Sequence, residues 1–406
     1  MDKRARLGMI LMLFVGYTLI YIDKTVMGFA LLPIRAEFNF TPQQVGLIPG
    51  LFFLSYTLFQ IPAGWLNDRL GYRAMLVMSL ALVGVCALLF GWWALGLGWL
   101  ILFRMLAGIG HSGYPSASAK TVTMTFELQQ RTFVQSLLLS SSGMAMVIGP
   151  LLAIWALRVM HWQQMYMVFA ALFLLMALLM LVLLPKHGRQ QQQQVAVPSA
   201  SQGSWRLMFR HPLIWQLIIA NVCVNLPAYS LMAWLPSFLV KEHGLSMAIT
   251  GEIISIGGIG AWVSSIIGGW LVGRYGAGRE PLVILCTALV AACGLLGIYL
   301  STSLLVTTII LVITNGATFC TFVFTFTLPL KRFDPRIMGT TVGFLNACGV
   351  AGGFIGPIVI GYLVAASGGD YFTSFLFMMV VIVIAGLALL PGSRRPLILP
   401  QHQESL

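Results

Sequence analysis

Asp23 and Lys24 stand side by side inside an apolar run, VGYTLIYIDKTVMGFALL. An ionisable side chain in such a run costs about 2.5–3.5 kcal/mol to place in a bilayer, so it faces a cavity or a partner. Adjacent helical positions point about 100° apart, so the two cannot form one face. Lys24 shares a stripe with Tyr21 and Tyr17, three and seven positions before it. It is expected to reach a cavity and bind an anionic group. Asp23 is expected to titrate or to hold a cation from another helix. The bland alternative is a structural pair in which the two neutralise each other.

A second pair, Arg104 and His111, is spaced seven apart, two helical turns on one face. A histidine near mid-membrane can gain or lose a proton near neutral pH. His111 is therefore a candidate proton carrier, against a neutral histidine hydrogen-bonded within the bundle. Arg104 is a candidate either for substrate or for partnering an acid such as Asp23. Asn221, Asn225 and Tyr229 form a polar stripe at i, i+4 and i+8, and Asn346 lies on a later helix. Amides and phenols suit substrate hydroxyls and equally suit bonds between helices. Lys120 either lines an inner vestibule or snorkels. Glu252 either closes an outer gate or sits at the interface.

These residues need helices to position them. Only 8% of the 406 residues are charged and 59% are apolar, against about 25% charged in a soluble domain. Twelve spans are predicted at 7–34, 43–66, 74–97, 99–126, 132–157, 163–184, 210–239, 247–272, 280–300, 303–329, 337–366 and 371–391. The apolar runs are continuous rather than alternating, which excludes a barrel. The expected architecture is an all-α membrane protein of two six-helix bundles, 1–185 and 210–392. A Gln-rich linker, 186–209, joins them, and a tail, 393–406, follows. Asp23 and Lys24 fall about 5 Å from the midplane at roughly 1.5 Å per residue.

Charge sets the orientation. Of the 23 lysines and arginines, 17 fall in loops and tails on the side of the termini. Three (Arg35, Arg158, Lys241) fall on the other side and three (Lys24, Arg104, Lys120) within spans. The excess predicts cytoplasmic termini. It also accounts for the net charge of +12 without a nucleic-acid partner. The basic N-terminus reads as the start of helix 1 rather than a removable signal. The six cysteines all lie in apolar segments and form no C-x-x-C pair, so neither a metal site nor a disulfide framework is expected.

The chain repeats itself. Gly64, Leu66, Arg69 and Gly71 recur as Gly269, Leu271, Arg274 and Gly276, at an offset of 205. Gly149-Pro150 recurs as Gly356-Pro357. The halves therefore have parallel topology, as in two bundles that rock about a central site. The loop Gly64-x-Leu66-x-Asp68-Arg69-x-Gly71-x-Arg73 reads as a cytoplasmic gate: its glycines permit a tight turn and close approach, and Asp68 pairs with a nearby arginine. Gly143-x5-Gly149-Pro150 and the glycines of 349–356 read as close packing.

This loop resembles the signature of the major facilitator superfamily, and Arg104-x-x-x-Gly108-x-Gly110 resembles its second motif. More narrowly, Tyr21-Ile22-Asp23-Lys24, the segment 221–246 and the segment 343–363 resemble the anion:cation symporter family of hexuronate, galactonate and sialic acid carriers. Lys24 stands where that family has arginine. His111 stands where it has a glutamate, seven residues after the Arg104 position. The resemblance implies a major facilitator fold, a carboxylate bound by the helix 1 cation, and proton coupling at the helix 4 position. Gly143 to Pro150 also resembles a motif associated with antiporters.

No Walker loop, HExxH or G-x-S-x-G constellation is present. The sequence thus points to a secondary transporter without cofactors, not an enzyme. The expectation is proton symport of a polar or hydroxylated carboxylate by a monomer in a bacterial inner membrane. The alternatives are a proton-driven exporter of a drug, metabolite or siderophore, and a receptor or channel. A central Lys24 favours the first, and a two-half repeat with a gate loop disfavours the last.

Overall fold

A computed structural model describes residues 3–184, 209, 212–275, 280–332 and 338–390. The expected linker 186–209, apart from Phe209, and the tail 393–406 lie outside the described residues. So do Gly276 to Arg279 of the repeat.

Twelve helices follow one another among the described residues. They are α1 Lys3–Phe38, α2 Pro42–Leu70, α3 Tyr72–Trp92, α4 Leu97–Thr125, α5 Leu128–Val159 and α6 Trp162–Leu183, then α7 Pro212–Glu242, α8 Met247–Tyr275, α9 Glu280–Leu300, α10 Leu304–Arg332, α11 Met338–Ala366 and α12 Phe372–Ala388. Ten of them are long and apolar enough to cross a membrane by themselves. The two others are α12, with 17 residues, and α4. Helix α4 has the length, but Arg104, His111, Lys120 and many small polar residues dilute it. It is tolerated because its polar face is turned inward: Arg104, His111, Ser112 and Ser118 are all buried. Large apolar side chains such as Leu7, Leu178, Val182 and Leu305 point outward instead, as a lipid solvent requires.

Local chemistry sets the ends. Helix α2 opens on a capping box. Gln44 N–H donates to Thr41 Oγ1 and Thr41 N–H donates back to Gln44 Oε1, at 3.4 and 2.9 Å, with Pro42 at the first turn. It stops at Gly71, whose φ of +85° suits glycine and whose N–H reaches Asn67 O. This tight turn places α3 antiparallel to α2.

The helix pairing repeats across the two halves. In the first half α1 packs on α5, α2 on α4, and α3 on both α4 and α6. In the second half α7 packs on α11, α8 on α10, and α9 on both α10 and α12. Shifting by six helices maps one set onto the other, the structural counterpart of the sequence repeat. The halves meet through α2 with α11, α5 with α8, and α1 with α7.

That meeting is one-sided. A Cβ at Gly28 would lie 2.2 Å from Met232 O, one at Gly46 2.4 Å from Pro357 O, and one at Gly258 2.6 Å from Met146 O. These backbone approaches belong to the end away from the termini, reaching about mid-depth, where Trp262 packs on Gly143. Further toward the termini, a Cβ at Gly64 or Gly343 would meet nothing within 4 Å. Among the described residues, the closest backbone approaches between the halves thus lie on the far side and at mid-depth.

Candidate functional site

Helix α4 reaches the centre because Gly108 lets it lie against α2. A Cβ there would fall 2.4 Å from Phe52 O. This close approach brings Arg104 and His111, one face of α4, against Asp23 of α1. Arg104 Nη1 donates to both Asp23 oxygens, at 3.0 and 2.9 Å, and His111 Nε2 lies 3.1 Å from Oδ2. The three side chains are almost wholly buried. A carboxylate only accepts, so Nε2 carries the imidazole proton, an assignment from the bonding network. His111 Nδ1 is buried without a partner. Phe52 lies edge-on to the histidine ring at 4.8 Å, and the Arg104 guanidinium lies over its face at 4.6 Å. Asp23 thus holds a cation from another helix, one of the two roles its position allowed.

Lys24 turns the other way. Its ammonium lies over two phenol rings, Tyr56 at 4.4 Å and Tyr21 at 4.7 Å. It is 5% exposed, yet among the described residues it has no hydrogen bond and no ion pair. The ring faces offset part of the cost of burial, by about 0.5–2 kcal/mol each. Tyr17 stacks behind Tyr21 at 5.2 Å and touches Tyr114 at the same distance. Across the seam, Phe53 of α2 packs on Tyr229 of α7, ring centroids 4.3 Å apart.

Two residues of this wall escaped sequence reasoning. Tyr56 and Gln60 are one turn apart on α2, within the run FFLSYTLFQ. Gln60 accepts a hydrogen bond from Asn346 Nδ2 at 3.3 Å, a side-chain bridge between the halves, and its own Nε2 has no partner. The Tyr-x-x-x-Gln spacing on the amide-and-phenol pattern of α7 was the available signal.

The α7 stripe is only partly presented. Asn225 and Tyr229 are half-buried, but Asn221 is 1% exposed and donates to Leu217 O of its own helix at 3.1 Å. Asn225 likewise donates to Asn221 O at 2.8 Å. Asn221 is thus a helix-bonded residue in this conformation rather than a cavity-facing one, because the amide finds its nearest acceptor one turn back.

The loop after α2 is also wired differently from expectation. Asp68 takes Lys120 of α4, at 2.8 Å, rather than an arginine. Lys120 also donates to Asn67 O, so it links α4 to the end of α2. Arg69 stacks on Trp65 at 3.7 Å, and Arg73 donates to the carbonyl of Leu181 on α6. The loop's charges thus find their partners within the first bundle, on α2, α4 and α6. Glu252 is exposed and has no ion pair among the described residues.

A family model described as Major Facilitator Superfamily matches residues 13–357. The chain belongs to this superfamily. This facilitator is 24% identical to the D-galactonate transporter of Escherichia coli O6:H1, over 95% of both chains. It is 25% identical to a putative tartrate transporter of Agrobacterium vitis, over 92% of this chain and 88% of that one. It is 22% identical to the probable galactarate/D-glucarate transporter of Escherichia coli K12, over 90% and 89%. Among solved structures, an inward-facing, occupied bacterial homologue of the human lysosomal transporter Spinster superposes with a TM-score of 0.80 at 18% identity, covering 96% of this chain and 97% of that one. The D-xylose-proton symporter superposes with a TM-score of 0.79 at 16% identity, covering 95% and 97%. Both share the twelve-helix fold expected from the sequence. The facilitator is thus a multi-pass membrane transporter, not an enzyme.

Proposed function

We propose that this facilitator is a proton-coupled symporter of a small organic anion, a polar or hydroxylated carboxylate, working by alternating access. The observation that carries the reading is the unpaired Lys24. Asp23, the acid beside it, is already occupied by Arg104 and His111. Lys24 is left with only the faces of Tyr21 and Tyr56. A buried ammonium without an anion is incomplete, and a carboxylate ligand completes it. Organic-acid carriers among the relatives, of monoacids and diacids alike, support an organic anion as the substrate.

The unpartnered Nδ1 of His111 is the proposed entry point for the proton. Protonation adds a positive charge near Lys24. An anion on Lys24 lowers the cost of that charge, so the two ligands favour each other's binding. The loop from Gly64 to Arg73, with Asp68, Arg69 and Gly71, is the proposed gate on the side of the termini. That side is assigned to the cytoplasm by the lysine and arginine asymmetry. A bacterial inner membrane and a monomeric carrier complete the proposal.

The test is uptake into proteoliposomes under an imposed pH gradient, screening carboxylates. Inward accumulation driven by an inward proton gradient is expected. Outward movement against that gradient would identify an exporter instead. Lys24→Ala is expected to weaken anion binding about 10- to 100-fold, from a charge-assisted bond of about 1.5–3 kcal/mol. Unchanged anion binding in that variant sinks the site. His111→Gln is expected to keep exchange of anion for anion but to lose accumulation driven by protons. Full accumulation would clear His111 of the role.

A further inference from the structure

We infer that this facilitator takes anions bearing one ionised group and rejects the matching anions bearing two. The inference rests on the anion reading above and follows from a count of buried charge. Lys24 and Arg104 are the buried lysine and arginine among the described residues. Arg104 is engaged by both oxygens of Asp23. Those two charges cancel, and only the charge of Lys24 is left for a ligand.

Cations described on the side of the termini are engaged at the loops. Lys120 is on Asp68, Arg69 on the Trp65 ring and Arg73 on the Leu181 carbonyl. The rest of the wall is neutral: Gln60, Asn225, Tyr229 and Asn346. These groups donate to hydroxyls and carbonyls but neutralise nothing. A single carboxylate on Lys24 brings the site to neutrality. A second ionised carboxylate would lose its water against amides and phenols with no cation opposite, and burying an unpaired charge is costly. The count holds while His111 is neutral. A proton there would add a second buried positive charge, so the two classes of acid are compared at alkaline pH, where the Nε2–H on Asp23 is the imidazole's one proton.

The experiment is equilibrium binding to the purified full chain in detergent, without any gradient. Matched acids are compared: gluconate with glucarate, and threonate with tartrate. Each monoacid is expected to bind at least about tenfold tighter than its diacid, the penalty of an unpaired buried carboxylate. Asn346→Lys places a second cation on the opposite half. It is expected to erase or reverse that preference, and Asn225→Lys serves where the first variant does not fold. Diacids bound as tightly as monoacids by the natural chain overturn the inference and leave the anion reading intact. Binding of neither member of any pair removes the anion reading and the inference with it.

Discussion

Replacing Arg104 by methionine is expected to destabilise the protein by about 3–5 kcal/mol, the usual consequence of stripping one partner from a buried ion pair. Asp23 would keep only the His111 N–H, and its second oxygen would lose its donor. The unfolding midpoint in detergent should fall by many degrees and transport should disappear. The double variant Asp23→Asn, Arg104→Met removes the charge as well as its partner, and is expected to recover most of the stability but none of the coupling. The comparison separates the two roles open to Arg104. If Arg104→Met keeps full stability and loses only substrate affinity, Arg104 is a ligand and the account of Asp23 is wrong.

The second large effect is expected at Gly46. A Cβ there would lie 2.4 Å from the carbonyl oxygen of Pro357, which is backbone and cannot rotate away. Gly46→Val must push α2 off α11 on the far side. Overpacking of this kind costs about 1–3 kcal/mol. The cost falls only on the conformation in which this seam is closed, so the populations shift about 5- to 150-fold toward the opposite opening. Transport should fall accordingly while the protein still folds. The check is labelling by a membrane-impermeant thiol reagent at Asn225→Cys, in a chain whose six native cysteines are replaced. Labelling from the side opposite the termini should rise in Gly46→Val. It should stay low with Gly8→Val, where a Cβ meets nothing within 4 Å. Equal labelling in both variants would mean that the seam does not limit access.

Much of this was legible in the sequence. The twelve helices follow from continuous apolar runs, and their observed ends fall within a few residues of the expected spans. Asp23, Lys24, Arg104 and His111 were conspicuous because charge inside an apolar run has no local explanation. Tyr56 and Gln60 were not conspicuous, because a phenol and an amide among apolar residues are common on any packed helix. Only the pairing of α2 with α11 and the reach of Lys24 give them meaning. The partner of Asp68 was equally hidden, since Lys120 lies 52 residues away and arginines stand closer in sequence. The bond of Asn221 to its own helix was not legible either, because spacing tells which face a residue is on, but not whether its amide turns back.

The ion pairs of Arg6 with Glu127, Asp23 with Arg104 and His111, and Asp68 with Lys120 lie within the first half. Between the halves, the described contacts include close backbone approaches, packed aromatic and aliphatic side chains, the Asn346–Gln60 amide bridge and a bond from Ser255 Oγ to the Val147 carbonyl. Opening the far-side seam thus breaks none of these ion pairs. Resistance to that opening then comes largely from van der Waals adhesion between packed surfaces, while salt in the medium acts on cargo capture at Lys24.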